Sequence, residues 1–327
     1  MKTPRTTIRS LATLLAGLSF FLCLPMSAQP QTGEFHAQKP VRLIVPFPPG
    51  GGADITARVM AKSAQERLGQ PLVVENKPGA EGAIATDFVA RAPADGYTLE
   101  MATFDTHSIY PHAYPKRATK ASQFRAVVPV IKSQMVLVGR PGLEAKDTAE
   151  LIALSKKRQL TFASWGKATG SSIGMNAFAR AAGMQPYLEV PYQGAGPAVL
   201  GVISSQVDLI AVPVPLVKAY PDLKVYGVMG SERSRYLPDA PTFREQKIDV
   251  VVEGWTGILA PPGTPDSVIG PLAKSLGAAV ADPEVQKSIQ SAFLDPFNSD
   301  SAQFQTYLDE ESARWAKLVK AANLQLD

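Results

Sequence analysis

Apolar residues in this 327-residue chain fall into two alternating patterns, short β-branched runs and runs spaced three or four apart. Val41–Val45 is of the first kind and predicts a strand. Asp54 is then placed to cap a helix with Ile55, Val59, Met60, Ala64 and Leu68 on one face. Gly69 and Pro71 stop that helix. Leu72–Glu75 predicts a second strand and Asn76–Gly82 a loop. Ile84, Phe88 and Val89 mark a second helix, ended by Pro93 and the Asp95-Gly96 turn. Tyr97, Leu99 and Met101 alternate as a third strand. The order βαβαβ implies a parallel sheet with right-handed crossovers.

The same rhythm returns later in the chain. Leu160–Ala163 predicts a strand, followed by a loop from Ser164 to Ser172 and a helix carrying Met175, Phe178, Ala179 and Ala182. Leu188–Val190, Val207–Val212 and Val225–Val228 predict further strands, with a helix starting near Pro197. Gly254–Pro265 predicts a strand that returns to the first α/β unit and then breaks. Asp282 and Pro283 supply a helix cap and a first-turn proline. Phe304, Tyr307, Leu308, Glu311, Trp315, Leu318 and Val319 trace one face of a last helix; Glu311 is its single polar member.

The N-terminus changes the picture of the bulk charge. Lys2, Arg5 and Arg9 precede an apolar stretch, Leu11–Leu24, and a cleavage-type segment ending at Ala28. This predicts a secretory signal over residues 1–28, a leader over 29–38 and a periplasmic mature protein. Removing the three signal bases leaves 30 basic against 29 acidic residues, with no nucleic-acid footprint. Cys23, the only cysteine, falls inside the signal, so the mature chain has no thiol chemistry.

Candidate chemistry concentrates where strands break into glycine-rich loops before helices. Pro48, Pro49, Gly50, Gly51, Gly52 and Ala53 form the first such loop, and Tyr192, Gly194, Ala195 and Gly196 another. Helix N-termini leave N–H groups unpaired and carry partial positive charge, which suits an anion. Thr103, Phe104, Asp105, Thr106 and His107 follow the third strand, at the carboxyl-end position where α/β sheets take ligands. Asp54 itself reads as a cap, because a carboxylate repels an anionic ligand.

Seven segments carry a family resemblance. They are Pro46–Arg58, Asn76–Gly82, Ala94–Leu99, Val190–Ala198, Gln206–Leu209, Leu237–Thr242 and Gly254–Pro265. In this order and spacing the chain resembles the Bug family, the periplasmic solute receptors of tripartite tricarboxylate transporters. The resemblance implies an α/β, type II periplasmic-binding-protein fold: two α/β domains, two crossing strands and a ligand cleft between them. It places the first domain at 39–136 and 254–327 and the second at 137–253. It implies a monomer without catalysis, cofactor or metal, binding a dicarboxylate, tricarboxylate or aromatic acid. The implied partners are a small and a large membrane subunit.

Against the family pattern, Phe104 and Asp105 replace small residues. The loop holding Ser164, Trp165, Gly166, Lys167, Gly170 and Ser171 is about one residue longer and gains Trp165 and Lys167. Trp165 is expected to stack on a flat ligand and Lys167 to pair with a second carboxylate. Two other readings compete. One is a ligand sensor docking on a sensor kinase. The other is a hydrolase using Ser164, His107 and Asp105, for which no G-x-S-x-G elbow exists. No P-loop ends the first glycine run either.

Overall fold

The computed structural model describes residues 36–117 and 123–326. The expected signal, Cys23 and most of the leader lie outside the described residues. The first α/β unit follows the predicted order: β1 (Val41–Val45), α1 (Gly52–Leu68), β2 (Leu72–Asn76), α2 (Ala83–Ala90) and β3 (Thr98–Thr103). β1 pairs in parallel with both β2 and β3. A π-helical turn, Asp105–Ile109, continues from β3 into the short α3 (Tyr110–Ala113).

A 15-residue strand, β4 (Arg125–Gly139), leaves this unit. The second unit comprises α4 (Thr148–Lys157), β5 (Thr161–Ser164), α5 (Gly170–Ala181), β6 (Leu188–Pro191), α6 (Ala195–Ile203), β7 (Leu209–Pro213), α7 (Val214–Ala219) and β8 (Lys224–Val228). The chain returns through β9 (Glu253–Ala260) to α8 (Asp266–Val280), α9 (Pro283–Ser291), β10 (Asp295–Pro296) and α10 (Ser301–Ala321).

The strand orders repeat between the halves. The first runs β2-β1-β3-β9-β4 and the second β6-β5-β7-β4-β8. In each, one strand from the crossing pair inserts antiparallel beside the last parallel strand: β9 against β3, and β4 against β7. β4 serves both halves. Arg125–Gln134 pairs with β9, and Met135–Gly139 pairs with β7. This is the two-domain periplasmic-binding-protein architecture, with β4 and β9 as its crossing strands.

Two predicted helix faces are rotated in the structure. In α1 the buried apolar positions are Ala53, Ala57, Met60 and Ala64, while Ile55 is exposed. In α2, Ala85, Thr86 and Val89 are buried and Ile84 and Phe88 are exposed. Small residues let these helices approach the sheet closely, so size complementarity outweighs residue hydrophobicity. Asp54 is not the cap either. Gly51 is, and Asp54 sits in the first turn with its carboxylate reaching back to the Gly50 N–H at 2.9 Å. Burial pushes the Asp54 carboxyl up, but hydrogen bonds from Arg58, Gly50 and Asn76 outweigh it and hold it below its usual range. The network fixes the glycine loop against the end of β2. In α10, Glu311 fits the buried face because its carboxylate accepts from Trp315 Nε1 at 3.0 Å and pairs with Arg314.

Candidate functional site

A cavity of about 200 Å³ lies between the two halves. Its first wall is the loop after β1, with Pro48, Pro49, Gly50, Gly51, Gly52 and Ala53 at the start of α1. Thr103, Phe104 and Asp105 follow from the end of β3. Opposite them stand Trp165, after β5, and Gly194, Ala195 and Gly196 at the start of α6. A Cβ built on Gly194 would lie 3.5 Å from Pro48 Cδ, so the two glycine loops approach each other closely. The starts of α1 and α6 therefore converge on one region. Their first-turn N–H groups have no intrahelical acceptors.

The other predicted residues stand behind this lining. Thr106 Oγ1 donates to the Thr103 carbonyl and meets His107 Nδ1 at 2.9 Å, closing a buried turn. His107 Nε2 faces Glu100 Oε2 at 3.7 Å. Burial raises the Glu100 carboxyl to about 8 and lowers the His107 imidazole to about 3, so both are neutral near pH 7. Ser164 is fully buried, and its hydroxyl accepts from the Gly166 N–H at 3.4 Å. Ser171 Oγ donates to the Ala211 carbonyl, anchoring α5 on β7. Tyr192 packs over Gly201, within α6. Lys167 is exposed. Ser164, His107 and Asp105 are each engaged with other groups, so they form no proton relay.

The loop before α5 is clasped by carboxylates from the first half. Asp105 Oδ1 accepts from the Gly170 N–H at 2.8 Å, the first residue of α5. Asp105 Oδ2 accepts from Trp165 Nε1 at 3.1 Å. Glu81 accepts from the Lys167 and Ala168 N–H groups at 3.0 and 3.2 Å. A Cβ on Gly166 would collide with the Glu81 carboxylate, so only glycine admits this approach. Burial raises Asp105 to about 6 and also raises Glu81, despite the hydrogen bonds each receives. The protein's own carboxylates thus take the backbone N–H groups of Lys167 and Gly170, two residues expected to contact a ligand.

Sequence reasoning missed several lining residues. Ile131, Ser133 and Met135 come from β4. Pro213, Pro215 and Leu216 come from the β7–α7 corner, Thr256 from β9 and Leu294 from the turn after α9. β4 is the reason for the first group. Its fifteen residues are mostly buried without alternation, and irregularities in its register flank Val128 and Ile131, so no period marks which residues face the cleft. Among the described residues no group of three or more His, Cys, Asp or Glu is placed to hold a metal. A larger hollow of about 560 Å³ lies away from the cleft, along α2 by Arg42, Phe88 and Arg91.

The profile of the tripartite tricarboxylate transporter family receptor matches residues 56–324. The chain belongs to this family. Receptors of the family are periplasmic solute-binding proteins and not enzymes. Protein BugT of Bordetella pertussis is 28% identical over 330 residues, covering 97% of this chain and 99% of its own. The solved periplasmic binding protein BugD superposes with a TM-score of 0.82 at 30% identity, covering 88% of this receptor and 99% of BugD. MatC from Rhodopseudomonas palustris, solved with bound malate, superposes at a TM-score of 0.80 and 27% identity, with 86% and 99% coverage.

Proposed function

We propose that this receptor binds a small carboxylate in the cleft, in the periplasm, and delivers it to the small and large membrane subunits of a tripartite tricarboxylate transporter. The convergence of the α1 and α6 N-termini on one cavity carries the reading. Backbone N–H groups there receive a carboxylate without burying a fixed cation. Hydrogen bonds to a charged group contribute on the order of 1.5–3 kcal/mol each. A few of them reach micromolar affinity, about −8 kcal/mol, after ordering costs. Bound malate in MatC supports a carboxylate as the ligand class. The proposed ligand contacts are the cavity-lining residues, with the halves closing about the crossing near 136 and 254.

Thermal-shift screening of the purified protein against carboxylic acids tests this. Ligand at about a hundred times its Kd adds about 2.7 kcal/mol of stability, a readily measured rise in Tm. Absence of any rise across dicarboxylates, tricarboxylates, aromatic acids and amino acids overturns the proposal.

A further inference from the structure

The charge lining the cleft narrows the ligand beyond "a small carboxylate". Among the described lining residues Asp105 carries the only charged side chain. It is 4% exposed. Its two hydrogen-bond donors, Gly170 N and Trp165 Nε1, are both neutral. The charged group that acts on it is Glu81, of the same sign. His107, two residues on, turns toward Glu100 and is neutral. The Asp105 carboxylate is held by the start of α5 and the indole but meets no cation among the described lining residues, so a ligand cation would add its one partner of opposite charge.

Most of the remaining lining fits an apolar body, with the hydroxyls of Thr103, Ser133 and Thr256 as the polar exceptions. Ile131, Met135, Pro213, Pro215, Leu216 and Leu294 contribute no hydrogen-bonding side chain. Because Pro48 and Gly194 nearly touch, the two helix starts serve one carboxylate rather than two at opposite ends. A second ligand carboxylate would meet apolar wall, Asp105, or the hydroxyls of Thr103, Ser133 and Thr256, and no cation among the described lining residues.

We infer that the ligand is a zwitterionic amino acid with an apolar side chain, its carboxylate at the α1 and α6 starts and its ammonium group on Asp105. Each carboxylate oxygen of Asp105 already accepts one N–H and keeps capacity for another. The ammonium would complete a site in which the indole and the α5 N–H hold the carboxylate in place. The inference rests on the receptor reading and specifies its ligand.

Titration calorimetry of the intact mature protein separates the possibilities. The probes are L-leucine and L-phenylalanine, their des-amino counterparts 4-methylpentanoate and 3-phenylpropanoate, N-acetyl-L-leucine, and malate. At least one amino acid is expected to bind about tenfold or more tighter than its des-amino and acetylated counterparts. D105N is expected to abolish that preference. The wild-type comparison stands even if the variant fails to fold. Equal or tighter binding of a des-amino acid, or of malate, overturns the ammonium assignment and leaves the carboxylate reading intact. Silence from all these probes and from the wider carboxylate screen brings down both.

Discussion

Trp165 Nε1 donates to Asp105 Oδ2 at 3.1 Å, joining loops from the two halves of the receptor. The bond exists only when the halves are together, so it favours the closed form. Trp165→Phe keeps most of the buried ring and removes the donor. A hydrogen bond to a charged acceptor contributes on the order of 1.5–3 kcal/mol, so ligand affinity should fall about tenfold or more. Calorimetry with the ligand found by thermal shift measures it. Unchanged affinity would show that the bond plays no part in closure.

Glu81 makes the second clasp, accepting from two backbone N–H groups of the opposing loop. Glu81→Ala leaves Lys167 N and Ala168 N without this acceptor. Ligand affinity should drop by about tenfold. The liganded radius of gyration from solution scattering should move toward the open value. A fully compact liganded variant would mean that Asp105 and the ligand suffice for closure.

Much of this architecture is written in periodicity. β1, β6 and β8 are short apolar runs between turn signals, and they stand within a residue of their predicted bounds. The glycine loops also read directly, because Pro-Pro-Gly-Gly-Gly ends a strand pattern just before a helix pattern begins. What resists reading is anything set by contact across the chain. Glu81 looks like an ordinary loop acid until Gly166 is brought against it. Glu100 sits among apolar neighbours in β3, and only the fold shows that it is fully buried with Thr86 and His107 beside it. Asp105 was visible as an oddity, but its grip on Trp165 and Gly170 depends on two halves meeting.

The same substitution should have opposite effects at two glycines. A Cβ on Gly170 would collide with the Phe104 ring, which is also pressed against Gly254. Phe104 has no room to retreat, so Gly170→Ala should lower Tm by several degrees and weaken binding. Gly277, inside α8, has nothing within 4 Å of its built Cβ. Gly277→Ala there removes unfolded-chain entropy and should stabilise by roughly 0.5–1 kcal/mol, about 1–4 °C in Tm. Differential scanning calorimetry of the two variants decides it; a destabilised Gly277→Ala or an unaffected Gly170→Ala contradicts the packing argument.

Glu100 sets a pH signature for stability. Its carboxyl is raised by burial to about 8, well above its value in an unfolded chain. A raised acid favours folding while protonated in the native state. That contribution is fully present below about pH 4.5 and is lost as pH rises through 8. His107, lowered by burial to about 3, acts in the opposite direction, so its contribution falls as pH drops from about 6.5 toward 3. Above pH 6.5 the imidazole is neutral in both states and only the glutamate acts. Tm of the wild type should therefore decline between about pH 6.5 and 8 and level off above that. Glu100→Gln keeps the shape and the acceptor for Thr86 Oγ1, 2.8 Å away in the native chain, but does not ionise. Its Tm should match the wild type below about pH 4.5, pull ahead as pH rises from there to about 8, and exceed it by several degrees at about pH 9. Parallel declines in the two proteins would assign the alkaline loss to other groups.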